Sequence, residues 1–390
     1  MRVKKLIGKI HLWLGLTSGL VVFIVSITGC LYVFQEEVCL LLESGVFRKI
    51  EPQKEEFISP LTLQRKVENA FDREVTYMNA SVYPSGDRAS IVWLRDSTRN
   101  YRAYIVNPYT GNIIDTFSYR KTFWSIVLSL HTSLLIPKIG HHIVSISTLI
   151  FVALMFSGIY LWFPKSKRGF RQRFKVKWTA SPKRLNYDLH NVFGFYMTWI
   201  AIFIAISGLV WSYEWVDKSI YWLATGGEVP EEPLKTTFSL PDSHIPKQKP
   251  DVDQTLLSLV YNSPALMSYY IEYPYDSTSN YSLTLNNAKG KIYNKHNTYQ
   301  ISQYTGEVLD SNLWKEKNTG EKLQEANYNI HVGAILGLPG KIIAFFASLI
   351  AASLPITGLK IWLGRKKRHG RRSGRYPIRK NKKELQPTTT

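Results

Sequence analysis

The sequence predicts an α-helical membrane protein with four transmembrane helices in two tandem repeats, each repeat carrying an α+β domain on the outer side. Three observations predict it. Four stretches, Leu12–Phe34, Ile143–Phe163, Val192–Tyr213 and Ile342–Leu363, are long and apolar enough to cross a hydrocarbon core, which takes roughly 20 helical residues. The formal charge of +20 is concentrated beside those stretches. Two parts of the chain also align with two others without a gap.

The charge decides both class and orientation. Residues 1–10 hold four Lys/Arg and no acid, residues 164–186 hold nine and no acid, and residues 364–390 hold eleven against Glu384 alone. Residues 35–122 balance twelve basic against twelve acidic side chains, and residues 214–330 carry ten against fifteen. Basic segments abutting apolar spans stay in the cytoplasm, so both termini and 164–186 are predicted inside. A nucleic-acid partner is not expected, because such a protein gathers its positive charge on a folded face.

Trp13, Trp162, Trp211 and Trp362 lie near the span ends, where amphipathic rings favour the headgroup zone. Gly15, Gly19, Gly29, Gly158, Gly194, Gly208 and Gly358 recur within or beside the spans and permit close helix approach. The first span resembles a lipoprotein leader ending at Cys30. Its apolar run nevertheless continues to Phe34, past the 7–15 residues or so of a signal core, so it is read as a retained helix. Two cysteines, Cys30 and Cys39, form no disulfide framework or metal spacing.

The internal alignment organises the chain. Residues 11–29 match 190–208, pairing His11 with His190, Gly15 with Gly194 and Thr28-Gly29 with Ser207-Gly208. Residues 131–168 match 331–368, pairing His131 with His331, Ser157-Gly158 with Thr357-Gly358 and Trp162 with Trp362. The turns Tyr109-Thr-Gly111 and Tyr304-Thr-Gly306 repeat as well. Each unit is helix, outer domain, helix, and both units enter from the same side, a parallel repeat about the membrane normal.

The predicted division is a cytoplasmic N-terminus at 1–10, spans at 11–34, 143–163, 187–213 and 342–363, and outer domains at 35–122 and 214–330. Interfacial segments fall at 123–142 and 331–341, a basic loop at 164–186 and a disordered basic tail at 364–390. Within the first outer domain, Leu61–Phe71 has helical spacing, and Val75–Val82, Ala89–Leu94 and Tyr101–Val106 alternate as strands. Residues 226–253 read as a loop.

Four of the nine histidines occupy aligned positions: His11 and His190 at the cytoplasmic ends of spans one and three, His131 and His331 just before spans two and four. A lone interfacial histidine commonly just turns its polar edge to water. Four at matched positions, two per membrane face, suit bis-imidazole haem ligation, in which facing helices place a nitrogen on each side of a flat ring. The expected pairs are His11 with His190 and His131 with His331, with Gly15 and Gly194 leaving room for the macrocycle. Zinc would need three or four compact ligands, which neither face offers without additional residues. No Cys-x-x-Cys-His is present, so a haem would be held non-covalently. His141 and His142 align with Lys341 and Ile342 and are second-choice ligands, either able to replace His131. His244, His296 and His369 are expected to be solvent-exposed. No Walker loop, dinucleotide fingerprint or nucleophile elbow occurs, and catalytic side chains are not identified.

Lys9-Ile-His11-Leu-Trp13-Leu-Gly15-Leu, the Tyr-Thr-Gly turn after paired strands, Leu130-His131-Thr-Ser-Leu-Leu and Ser157-Gly158-Ile-Tyr-Leu-Trp162 together resemble the PepSY-associated transmembrane proteins of bacterial inner membranes. The resemblance covers about residues 1–365 and implies a PepSY-like periplasmic domain in each repeat. Some members are siderophore-linked reductases that bind b-type haems through helix histidines and reduce ferric chelates in the periplasm. That implies His11, His131, His190 and His331 as axial ligands of two haem b groups. It implies an oxidoreductase acting in iron uptake as a haem-dependent ferric-siderophore reductase, drawing electrons from a cytoplasmic or quinone donor. The competing reading is a non-redox PepSY sensor or peptidase-regulatory module. A transporter is disfavoured by the lack of mid-span charges and broken helices.

Topology reporters fused at Ser85 and Asn287 are expected to behave as external, as the charge asymmetry requires. Cytoplasmic behaviour at either site would overturn the orientation.

Overall fold

The structure, a computed structural model, describes residues 2–44, 47–53, 56–71, 75–97, 101–164, 170–230, 251–287 and 295–373. The chain opens with α1 (Arg2–Tyr32), the short α2 (Gln35–Leu41), α3 (Pro60–Asn69) and strands β1 (Val75–Val82), β2 (Ser90–Asp96), β3 (Tyr101–Val106) and β4 (Ile113–Phe117). Next come α4 (Phe123–Ser133), α5 (Ile139–Trp162) and α6 (Pro182–Asp188), which runs through one π-helical turn at Leu189–Phe193 into α7 (Gly194–Val210). The remainder is α8 (Glu214–Thr225), α9 (Val252–Tyr261), β5 (Leu266–Glu272), β6 (Tyr281–Asn287), β7 (Lys295–Ile301), β8 (Val308–Asn312), α10 (Thr319–His331) and α11 (Gly337–Ser373).

Among the described residues, four helical stretches are long and apolar enough to cross a membrane: Arg2–Leu41, Ile139–Trp162, Pro182–Val210 and Ala334–Arg365. α1 and α7 each pack against both α5 and α11, closing a four-membered ring. The ring's interior is made of small and flexible side chains, among them Met155, Met197, Ala201, Ala205 and Ala351, while Leu20, Phe156, Trp199 and Phe203 point outward. Large apolar groups outside and small ones between helices suit a lipid solvent, where close packing replaces the hydrophobic drive to associate. At the α1–α11 crossing, a Cβ on Gly19 would stand 3.2 Å from the Pro355 ring. Proline within α11 removes a helix hydrogen bond, and the glycine notch receives its ring.

α4 packs on α1 and α5, and α10 packs on α7 and α8. Both are short helices that bring a histidine back against a span. Buried Lys341, at the start of α11, pairs with Glu37 at 2.6 Å and Glu36 at 3.5 Å, tying α2 to α11.

The eight strands among the described residues form one antiparallel sheet in the order β4-β3-β2-β1-β5-β6-β7-β8. β1 and β5 join at its centre, with Asn79 opposite Glu272 and Val82 opposite Tyr269. Strand alternation sends Ala80, Val92, Leu94, Ile271, Leu283 and Leu285 to one face, where Leu63 and Val67 of α3 and Leu256 of α9 complete a single core. Gly111 and Gly306 take positive φ, 73° and 67°, at the expected Thr-Gly turns. At the end of β1 the sheet comes close to α2. Burial pushes the Tyr83 phenol above its ordinary pKa, Arg88 stacked 3.7 Å over the ring opposes that, and the Glu36 carboxylate adds to the rise.

The expectation of two separate outer domains is therefore corrected: the two regions share one sheet and one core. The physical reason is the edge. β1 and β5 would each leave a row of unpaired backbone groups if the halves stood apart, and pairing them removes both edges. Within the region expected as the second α+β outer domain, 214–225 is helical (α8), and the stretch from Thr319 to His331 is helical as well (α10). The expected loop at 226–253 ends in α9; residues 231–250, with His244, lie outside the described residues.

One side chain bridges the two halves at the helix layer. Asp253 of α9 accepts from Ser59 Oγ at 2.5 Å and from the Leu61 N–H at 3.0 Å, at the N-terminus of α3. Ser59 itself caps Thr62 N–H. Asp253→Ala removes the acceptor of the Leu61 N–H and leaves Ser59 only Thr62 Oγ1 to donate to, and is expected to cost about 1–2 kcal/mol. The measurement is a lowered unfolding midpoint of the full chain in detergent, and an unchanged midpoint would show that the bridge carries no stability.

Candidate functional site: two buried histidine pairs

Each of the four aligned histidines meets a neighbouring helix at a hydroxyl residue followed by glycine. His11 on α1 places Nδ1 2.8 Å from Ser157 Oγ of α5. His190, in the π-helical turn, places Nδ1 2.9 Å from Thr357 Oγ1 of α11. His131 at the end of α4 reaches back to α1, with Nδ1 2.9 Å from the Val25 carbonyl and 3.2 Å from Thr28 Oγ1. His331 at the end of α10 does the same to α7, with Nδ1 2.9 Å from the Ile204 carbonyl and 3.0 Å from Ser207 Oγ.

The following glycines supply space for the rings. A Cβ built on Gly158, Gly358, Gly29 or Gly208 would lie 3.5, 3.3, 3.2 or 3.2 Å from Cε1 of His11, His190, His131 or His331 respectively. At Gly358, Gly29 and Gly208 even a methyl group would press on the imidazole, and at Gly158 it would touch the ring.

The rings gather into the two expected pairs. His131 and His331 face each other with ring centres 6.0 Å apart and planes at 73°. Trp211 closes on His331 edge-on, at 5.1 Å. His11 and His190 line a common cavity of about 640 Å³ between the spans, with Gly15 and Gly194 also in its wall. Helix α1 carries both levels, since His11 belongs to one pair and Val25, Thr28 and Gly29 hold the other. Their separation along the helix is roughly 20–25 Å at about 1.5 Å per residue.

His141 and His142 stand at the start of α5, with ring centres 6.0 Å from each other; it is His131 that faces His331. His296, expected in solvent, is half-buried on β7, where Lys317 Nζ donates to its carbonyl at 3.2 Å. The His369 side chain lies outside the described residues.

The donor set discriminates between metal groups. Among the described residues, no three His, Cys, Asp or Glu side chains converge, which disfavours the closed three- or four-ligand set zinc uses. Two imidazoles on opposite sides of one metal are what a haem takes. A nitrogen–metal bond of roughly 2 Å on each side, with about 1 Å from nitrogen to ring centre, sets the centroids of a linear pair about 6 Å apart. The His131–His331 separation meets that requirement. The cavity at the other pair is in the range that holds cofactor-sized ligands, and its lining includes Lys4, Lys5, Lys9 and Arg365. It also includes Trp162, 3% exposed, whose buried indole N–H has no hydrogen-bond partner among the described residues. A buried donor without a partner is costly, and a carboxylate-bearing ligand beside those cations would satisfy it. A cavity flanked by one imidazole pair and a second pair at this ring separation are the features a haem would use.

The sequence reading found the histidines but missed Ser157, Thr357, Thr28 and Ser207 as their partners. The signal was present, because all four precede a glycine and recur at aligned positions, yet it was read only as close helix packing. Trp162 was read only as an interface anchor.

Four spans, one sheet gathered on one side, and buried imidazole pairs at two levels define a membrane protein of PepSY-associated type. The chain belongs to the family described as the PepSY-associated TM region, whose family model matches residues 9–365. No curated protein matches it.

Gly208→Val would drive a branched side chain into His331. If each pair holds a haem, the chain is expected to lose the one at this pair and keep the other. Gly364→Val, with open space around it, is expected to retain both. Pyridine haemochrome titration per purified chain measures this, and full retention by Gly208→Val would show that the ring does not need its glycine.

Proposed function

We propose that the chain is a haem-dependent electron conduit of a bacterial inner membrane, reducing ferric siderophores or other ferric chelates in the periplasm for iron uptake. The observation that carries the reading is two imidazole pairs at two levels of one bundle, one of them at the ring separation that linear axial ligation requires. His11 with His190 would hold the inner haem b and His131 with His331 the outer one, both non-covalently. Bound there, haem supplies reversible one-electron chemistry.

The chain's residues do the remaining work. The four imidazoles anchor the two groups at fixed depths, and the glycines keep the ring positions clear. Lys4, Lys5, Lys9, Arg365 and the Trp162 N–H would receive carboxylates at the inner cavity. The basic segments support an inside location for both termini, putting the sheet in the periplasm. The symmetrical strand order about β1 and β5 supports two copies of one unit. A cytoplasmic or quinone donor would deliver one electron at a time on the inner side. On the outer side, Fe(III) in its chelate would accept it and become Fe(II), which hard oxygen donors hold far less strongly.

Two levels separated by much of the bilayer make the two pairs distinguishable. His331→Ala is expected to leave the inner haem bound and reducible by its physiological donor, while ferric-chelate reduction collapses. His190→Ala is expected to keep chelate reduction when dithionite reaches the outer haem directly. Stopped-flow spectroscopy of both variants in detergent, with a ferric siderophore, measures the difference. Equal loss in both, with haem retained, would remove the relay and favour a sensor role.

A further inference from the structure

An imidazole ligates a metal through a nitrogen that carries no proton, and the hydrogen bond at the other nitrogen selects which one that is. The proton positions around each ring follow from its partners. A backbone carbonyl only accepts, so the bonds to the Val25 and Ile204 carbonyls require His131 and His331 to carry their proton on Nδ1. At the basic side the partner of His11 is a hydroxyl, which can donate or accept. Ser157 Oγ has one proton, and it is directed to the Leu154 carbonyl of its own helix at 3.1 Å. The oxygen is left to accept, so His11 donates Nδ1–H to it at 2.8 Å. Thr357 repeats the hydroxyl's part: it donates to the Ser353 and Leu354 carbonyls at 3.0 and 3.1 Å and accepts from His190, which also bonds the Leu354 backbone.

We propose that Ser157 is a positioning residue that fixes His11 in the Nδ1–H tautomer, leaving the lone pair on Nε2 for the metal. The sheet-side rings have a second lock. Thr28 and Ser207 also direct their hydroxyl protons to carbonyls of their own helices, but the Val25 and Ile204 carbonyls fix the tautomer without them. Among the described residues His11 has no such carbonyl among its hydrogen bonds, so its tautomer depends on one hydroxyl. The consequence for ligation rests on the haem reading above, whereas the tautomer does not.

The test uses the full chain in bilayers with ¹⁵N-labelled histidine, first without haem. In the unsubstituted protein His11 and His331 are both expected in the Nδ1–H form. Ser157→Ala is expected to convert His11 to a mixture of tautomers, and Ser157→Thr, which keeps the hydroxyl, to restore the single form. Ser207→Ala is expected to leave His331 as Nδ1–H, because the Ile204 carbonyl still takes the proton. With haem added, Ser157→Ala should bind at the inner pair about 10- to 100-fold more weakly, the usual effect of losing an outer-shell partner of a ligand. His11 remaining wholly Nδ1–H in Ser157→Ala, or Ser207→Ala disturbing its ring as much as Ser157→Ala does, would overturn the proposal. A tautomer shift in Ser157→Ala with no haem bound by any form would uphold the positioning role and reject the haem reading instead.

Discussion

The imidazole Nδ1–H bond across a helix contact is the interaction on which the bundle's organisation depends. A polar ring inside a membrane-spanning bundle has no water to bond, and an unsatisfied group there costs several kcal/mol. Each ring can be placed only where another helix offers an acceptor and where no side chain occupies the ring's volume. A hydroxyl residue followed by glycine meets both demands in two consecutive positions. The consequence for packing is direct: α1 must lie beside α5, α6–α7 beside α11, α4 beside α1 and α10 beside α7, because each contact carries one histidine bond. None of the four rings is served by its own helix, so no pair can form before the bundle does.

The sheet imposes a second constraint from outside the bundle. β4 leads through a few residues into α4, and β8 into α10, so the sheet's two edges feed the two helices that carry His131 and His331. The seam between β1 and β5 fixes those edges relative to each other. A shift of one residue at that seam would send Ala80 and Ile271 out of the core and their neighbours into it, which makes the register costly to change. The distance between His131 and His331 is thereby held from above by a sheet with a single core and from below by the carbonyls of Val25 and Ile204.

Much of this was legible in the sequence, and the reasons are local. The spans announce themselves through uninterrupted hydropathy. Val75–Val82 and Tyr101–Val106 announce themselves through alternation, and each matches the observed strand end to end. The histidine pairs emerged because two alignments placed four identical residues at corresponding points. What escaped was long-range or chemically ambiguous. Nothing in β1 or β5 distinguishes a strand that ends a sheet from one that joins two halves, since pairing partners nearly 200 residues apart leave no local trace. α10 mixes charged, amide and aromatic residues with a weak apolar stripe, so Thr319–His331 reads as part of a domain rather than a helix returning to the bundle. The Ser/Thr-Gly steps were hidden because their glycines already had close helix packing as an explanation, while the hydroxyls bond the carbonyl a turn earlier, as hydroxyls in spans routinely do.

That ordinary back-bond is what gives the hydroxyls their directional role. A free hydroxyl could present either its proton or its lone pairs to an imidazole, and the tautomer would be undecided. Once the proton is committed to the helix carbonyl, only lone pairs face the histidine, and the ring must donate. The commitment costs little, because the carbonyl is already present and the bond bends the helix only slightly. Ser157 and Thr357 differ by a methyl group, yet both hold the same bond pattern, so the chemistry lies in the hydroxyl and not in the shape of the side chain. Glycine at the next position completes the logic, because a hydroxyl close enough to accept at 2.8 Å brings the ring within contact of the residue that follows. Acceptor and clearance are thus one two-residue device, and its four occurrences tie the placement of the rings to the packing of the helices.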